Sequence, residues 1–220
     1  MRNIFYGFLM CIYKYFSRNH VYKKAHTLVD IYGKTNGKFI SIGSGGGWSK
    51  VIKNKMKLNV TEVDKDEKRL PDIVANMEVM SFASDSSIDA IFCFEVLEHV
   101  ENINIAIAEA WRILKPGAYF YGSTPFSFPL HDEPYDFARY SKYGLVKLFN
   151  KFEIVTLQET SNYLETISLS LIRLIILPGL ATKLVGFFFF PLALFLRLSS
   201  FLVKTDVLPT GYIFVFRKPE

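Results

Sequence analysis

Cysteine is scarce in this chain. Cys11 and Cys93 are the only two in 220 residues, and there is no CxxC and no Cys/His cluster. That pattern excludes a disulfide scaffold, suggests no metal site, and fits a reduced, cytoplasmic protein. Acid is missing from two stretches. Residues 1–29 hold Arg2, Lys14, Arg18, Lys23 and Lys24 with no carboxylate, and residues 166–205 hold Arg173, Lys183, Arg197 and Lys204 with none. The net charge of +5 is therefore concentrated in two segments, and the remainder of the chain is net acidic. Both basic segments are apolar, which fits a membrane surface and not nucleic acid. A long apolar run is also lacking. The thirteen uncharged residues between Lys183 and Arg197 include Phe187–Phe190 but fall short of the ~20 a membrane span needs. The apolar start, Ile4 to Phe16, is interrupted by Lys14 and followed by no small-residue cleavage site, so a secretory leader is not expected.

Half of the residues are hydrophobic, enough to bury a core in a chain long enough for one domain. Ile4, Phe5, Phe8, Leu9, Ile12 and Phe16 follow the rhythm of one helix face, predicting an amphipathic helix over 3–16 within an N-terminal segment 1–35. Lys38–Ile42, Leu58–Val63, Asp72–Ala75, Ile88–Phe94 and Ala118–Ser123 read as strands. Ile88–Phe94 is apolar apart from Asp89 near its start, as expected for a strand covered on both faces. A helix over Asn102–Leu114 is stopped by Lys115-Pro116-Gly117. Phe152–Gln158 and Tyr212–Arg217 are two further strands, separated by an apolar helical insertion at 163–205. Strands alternating with helices predict an α/β fold with a mostly parallel sheet over 36–220.

The first strand runs into Gly43-Ser44-Gly45-Gly46-Gly47, a turn that lets backbone approach a ligand. A dinucleotide GxGxxG needs glycine where Trp48 stands, and a P-loop needs Gly-Lys-Ser/Thr where Trp48-Ser49-Lys50 follows, so both fail. Asp64 follows Gly45 by 19 residues at the end of the second strand, where α/β nucleotide sites place a carboxylate on ribose. By itself this is also compatible with an ordinary glycine turn and a solvated Asp.

The order Ile40–Gly47, Val63-Asp64, Ser86–Phe92, Glu95-Val96-Leu97-Glu98-His99-Val100 and Arg112–Gly117 resembles the class I S-adenosylmethionine-dependent methyltransferases, and the methyltransferase type 11 group in particular. The resemblance covers about residues 36–125, with Tyr212–Pro219 similar to the family's final strand. It implies a Rossmann-like, seven-stranded sheet with an antiparallel last strand. It implies S-adenosyl-L-methionine as cofactor, with its amino-acid end on Gly43, Ser44, Gly45 and Gly47, and its ribose on Asp64. Adenine would lie beside Asn76 and Met77, and the sulfonium beside Phe94 and Glu95. Two positions depart from the pattern: Ser41 and Asn76 stand where the family usually carries an acid. A non-catalytic adenosyl-binding protein is therefore one alternative.

Methyl transfer to oxygen requires in-line placement and a proton acceptor. The Pro-punctuated stretch Ser123–Tyr140 lies past the carboxyl end of the fifth strand and gathers His131, Tyr135, Asp136 and Arg139. It resembles a TPF…H…P.D..R segment of some type 11 methyltransferases. His131 is the candidate base, with His99 and Glu95 as further catalytic candidates. Tyr135, Asp136 and Arg139 are candidates for acceptor binding, although Asp136 and Arg139, three apart, also suit a structural pair. The expected function is methyl transfer to an oxygen of a lipid-linked or membrane-associated small molecule, such as a quinone or glycan precursor, at the inner face of the membrane. The alternative is a soluble small-molecule methyltransferase whose apolar insertion is a lid.

Overall fold

The computed structural model describes Lys24, Ala25, Thr27 and residues 37–43, 52–53, 58–203, 205 and 207–220. The helix expected over 3–16, the loop residues Ser44, Gly45 and Gly47, and the charges of Arg2, Lys14 and Lys204 lie outside the described residues. The chain divides into two compact units. One comprises Ala25–Gln158 with Gly211–Glu220; the other comprises Glu159–Thr210 with Met1–Lys24, of which Lys24 alone is described.

The first unit is built on a sheet of strands β1 (Phe39–Ile42), β2 (Val60–Asp64), β3 (Ile73–Val74), β4 (Ile88–Phe94), β5 (Leu114–Pro125), β6 (Glu153–Glu159) and β7 (Gly211–Arg217). Their spatial order is β3-β2-β1-β4-β5-β7-β6. β1 pairs in parallel with both β2 and β4, β2 with β3, and β4 with β5, while β7 runs antiparallel to β5. This is the mostly parallel, seven-stranded sheet with a reversed last strand that was expected. β4 is central and buried along nearly its whole length.

Helix α1 (Ile103–Ile113) buries Ala106, Ile107, Ala110 and Ile113, which share one face at helical spacing. Its end departs from expectation. The Lys115-Pro116-Gly117 run is part of β5, which starts at Leu114 with no intervening loop. Pro116 biases Lys115 towards extended backbone and has no N–H to continue a helix, so helix passes directly into strand. Helix α2 (Lys142–Leu148) is capped by Ser141, whose side chain accepts from the Gly144 N–H. Just beyond α2, Phe149 packs on Phe216 of β7, ring centroids 4.5 Å apart, and on Phe120 of β5 at 5.1 Å. Each large side chain buried here contributes roughly 1.5–3 kcal/mol.

The second unit contains α3 (Tyr163–Arg173) and α4 (Leu180–Ser199). Asn162 and Glu165 form a reciprocal capping box at the start of α3. The helices pack closely where Gly186 meets the chain just after α3: a Cβ there would lie 2.7 Å from the Ile175 nitrogen. Ser168 Oγ donates to the Ala193 carbonyl at 2.7 Å, and Arg197 lies 3.4 Å from Glu165.

Only Gly186 and Ala193 of α4 are buried. Within the aromatic run, Phe187 and Phe188 are exposed, Phe188 at 78%, while Phe189 and Phe190 are partly buried, Phe190 against Ile172 and Ala193. The stretch Leu180–Leu202 is 23 residues long with a mean hydropathy of 1.9, long and apolar enough by length and composition to cross a membrane. The charges at Lys183 and Arg197 lie inside this helix, so the uncharged stretch between them is the thirteen residues read from the sequence. Of the basic residues that the sequence concentrates here, Arg173 is buried and Arg197 faces Glu165, so neither stands as a free surface cation.

Candidate active site

β1 and β2 end side by side. Gly43 closes β1 with φ +83°, and its N–H donates to the Val63 carbonyl at 2.9 Å. A side chain at Gly43 would not fit, because a Cβ would lie 2.3 Å from Val96 Cγ2. At the end of β2, Asp64 is buried, and its Oδ1 accepts from the Asp66 N–H at 2.9 Å. Arg69 reaches within 3.8 Å of its other oxygen. Asp64 thus organises its own turn while presenting a carboxylate beside the β1 terminus. Asn76 Oδ1 accepts from the Glu78 N–H at 3.1 Å, a local turn bond that occupies part of its acceptor capacity. Met77 and Phe94 are both buried, Met77 in the main hydrophobic core.

The turn after β4 carries the polar cluster. Glu95 has φ +57°, a conformation unusual for a non-glycine residue. It is held to β5 twice: its N–H donates to the Ser123 carbonyl at 2.9 Å, and its Oε1 accepts from Ser123 Oγ at 2.5 Å. The 3-10 turn Leu97–His99 follows. Glu98 is fully buried, and neither carboxylate oxygen has a hydrogen-bond partner among the described residues. Burial, reinforced by Glu95, pushes its carboxyl well above the usual range.

Two imidazoles flank Glu98. His99 Nε2 lies 3.7 Å and His131 Nε2 3.8 Å from Glu98 Oε1. The two rings meet edge to face, centroids 4.8 Å apart. Burial also lowers the His131 pKa. The fold therefore joins two of the sequence candidates, His99 and His131, around a third residue, Glu98, that sequence reasoning passed over in favour of Glu95. The missed signal was the neighbour relation in Leu97-Glu98-His99: a carboxylate between a buried Leu and a His, on a turn packed under the 126–140 loop. The Phe137 N–H donates to the Glu98 carbonyl at 2.8 Å, which fastens that loop to the turn.

Asp136 and Arg139 hold the loop together. Asp136 is 2% exposed at its side chain. Its two oxygens accept from Arg139 at 2.5 and 2.7 Å, and Oδ2 also accepts from the His131 N–H at 2.9 Å. Arg139 holds this carboxyl well below the usual carboxylate range. Arg139 also donates to the carbonyls of Phe128, Ala138 and Pro129. All five guanidinium N–H groups are thus directed into the loop. Asp136 and Arg139 form the structural pair that the sequence also allowed, and the hydrogen bonds named here hold the loop. Tyr135 remains exposed, with Lys65 Nζ 4.8 Å from its ring centroid, while its carbonyl oxygen lies 2.6 Å from His99 Nδ1.

Residues 40–122 match the methyltransferase domain family. A search of curated proteins finds no match. Among solved structures, a chain of the Haloferax volcanii complex between the Trm112 methyltransferase activator and a protein assigned as a methyltransferase aligns at TM-score 0.62 and 15% identity, covering 91% of this chain and 89% of that one. A protein from Bacillus halodurans assigned as a methyltransferase aligns at TM-score 0.59 and 16% identity, covering 90% and 100%. Geranyl diphosphate C-methyltransferase from Streptomyces coelicolor, solved with Mg2+, geranyl-S-thiolodiphosphate and S-adenosyl-L-homocysteine, aligns at TM-score 0.59 and 14% identity, covering 89% and 75%. At these identities the structural matches establish fold. Residues 40–122 are thus similar in sequence to the methyltransferase domain family, and the chain shares the fold of these methyltransferase structures.

Proposed function

We propose that the protein transfers a methyl group from S-adenosylmethionine to an oxygen of a small, membrane-associated acceptor. The observation that carries this reading is the methyltransferase-domain match over the strands that lead into Gly43, Asp64 and the turn of Glu98. The chemistry of those ends fits the cofactor. Gly43 keeps the end of β1 free of a side chain, and Asp64 supplies a carboxylate suited to ribose hydroxyls, with Asn76 and Met77 on the adenine side. When bound, the sulfonium supplies an electrophilic methyl carbon. The chain's own residues then need to position the acceptor and take its proton. His131 and His99 face the buried Glu98, and a His131 kept neutral by burial is suited to accept a hydroxyl proton.

The membrane part of the reading rests on α4. Soluble monomers rarely expose a contiguous apolar surface beyond a few hundred Å², yet Phe187, Phe188, Leu192, Phe195 and Leu198 are all exposed. The uncharged stretch between Lys183 and Arg197 spans about 20 Å as helix, short of the ~30 Å hydrocarbon core. An α4 lying in the interface keeps Lys183 near the headgroups, and it would recruit acceptors already dissolved in the bilayer.

The test combines flotation with transfer. The protein is expected to float with vesicles containing anionic lipid and to be released only partly by high salt, because the apolar contribution persists. Phe188→Ser with Phe195→Ser should lower vesicle partitioning at least about tenfold. With S-adenosylmethionine tritiated in its methyl group, label should enter the lipid extract of incubated membranes. A protein that ignores anionic vesicles at low salt and labels only water-soluble acceptors contradicts the membrane-associated acceptor.

A further inference from the structure

We propose that Glu98, His99 and His131 form a binding site for one divalent transition-metal ion, of the zinc class. Three observations converge on it. The first is the donor set: the ligating atoms of the three side chains lie within 4.8 Å of one another. Two imidazoles and a carboxylate form a set that binds Zn2+ in catalytic sites, where a fourth position stays open for water or substrate. Tetrahedral bonds of ~2.0–2.1 Å hold ligand atoms about 3.4 Å apart. Glu98 Oε1 is 3.7 Å from His99 Nε2 and 3.8 Å from His131 Nε2, so these two edges need a contraction of under about half an ångström, and the edge between the imidazoles, within 4.8 Å, at most about 1.4 Å, a matter of ring rotation.

The second observation is the orphaned carboxylate. Both Glu98 oxygens are buried without a hydrogen-bond partner among the described residues. A buried carboxylate in that state is costly unless a cation or donor completes it. The protein places two Nε2 atoms beside it, and neutral imidazoles can complete it only through a proton or a metal.

The third is the outer support of both rings. His99 Nδ1 sits 2.6 Å from the Tyr135 carbonyl oxygen, so it must be the N–H donor, and its Nε2 then carries the lone pair facing Glu98. His131 Nδ1 lies 3.2 Å from Asp136 Oδ2, on the carboxylate that Arg139 clamps, but is not aligned for a hydrogen bond with it. A rotation of the ring that makes this bond from Nδ1–H leaves its Nε2 as the free base. Metal-ligating imidazoles commonly have their second nitrogen directed at a carbonyl or carboxylate in this way, which fixes tautomer and ring orientation. This gives the saturated Asp136–Arg139 pair a role through His131. Asp132 Oδ2, 3.9 Å from His99 Nε2 and largely exposed, stands at the rim of the remaining position.

The role of the ion rests on the methyltransferase reading; its binding does not. An acceptor hydroxyl in the open position would be polarised, its proton passing to solvent or to Asp132. The oxygen then forms its bond to the methyl carbon as the carbon–sulfur electron pair returns to sulfur. In the metal-bound state His131 is a ligand, and the ion takes over activation of the hydroxyl.

The test is calorimetric titration of tag-free, chelator-stripped full chain with ZnCl2, and separately with MnCl2 and MgCl2. Adenosylhomocysteine binding is measured on the same preparation. One zinc per chain is expected, with a zinc-dependent rise in melting temperature. Glu98→Gln and His131→Gln, each checked for fold by circular dichroism, should weaken zinc affinity at least about tenfold. Wild-type protein that takes up no zinc, or folded variants that bind it equally well, overturns the site. If adenosylhomocysteine still binds in that case, the metal proposal alone fails. Zinc binding without adenosylhomocysteine binding leaves the site and removes its assigned role.

Discussion

Arg139→Met is expected to lower the stability of the sheet unit by about 3–5 kcal/mol, the usual cost of stranding one partner of a buried ion pair. Asp136 is almost wholly buried and accepts two bonds from Arg139, while Met keeps the apolar stem and removes the charge. For a chain of this size the melting temperature should fall by roughly 10 °C. Adding Asp136→Asn to Arg139→Met should recover part of the loss, because no charge is then left buried. The double-mutant comparison separates this explanation from simple loss of packing. A single variant that melts with the parent would show that the loop is held by other bonds, and His131 would lose its proposed anchor.

Gly43→Ala should be nearly as damaging, by a different route. Left-handed backbone costs an ordinary residue about 1–2 kcal/mol, and the new Cβ would overlap Val96 Cγ2 at 2.3 Å. The Gly43 N–H is bonded to the Val63 carbonyl, adjacent to Asp64, so a shift of one strand end displaces the other. Displacement of a ligand-facing backbone by about 1 Å can cost a factor of about 100, and methyl transfer should fall on that order. Val96→Ala in the Gly43→Ala background relieves the overlap but not the strained φ, so partial recovery is expected. Parent-like transfer by folded Gly43→Ala protein would remove the β1 terminus from the site.

The ease of reading the fold differed from element to element. Ile88–Phe94 was legible to the residue, because its run is apolar apart from Asp89, as a strand buried on both faces requires. The reversed last strand came from the family resemblance, not from periodicity. The boundary between α1 and β5 was misread because Lys115-Pro116-Gly117 carries the chemistry of a loop but lies in a strand. Within the site, Asp64 was legible because position after a strand determines where its carboxylate emerges. Glu98 was not, since charge at a turn ordinarily means solvent, and its burial depends on a loop packed over it from about forty residues later. The same holds for Arg139 and Arg173: the sequence shows a cation, and only tertiary structure shows how its donors are used or that it is buried.

Calorimetric titration with adenosylhomocysteine, comparing the parent with Asp64→Asn, tests the central claim most directly. The amide keeps an oxygen for the Asp66 N–H, so the turn is preserved while the charge offered to the ribose is removed. The account predicts saturable one-to-one binding by the parent. It predicts weakening by about 1–3 kcal/mol in the variant, roughly 5–150-fold in dissociation constant. A parent that gives no saturable binding, or a folded Asp64→Asn that binds as tightly as the parent, would contradict it.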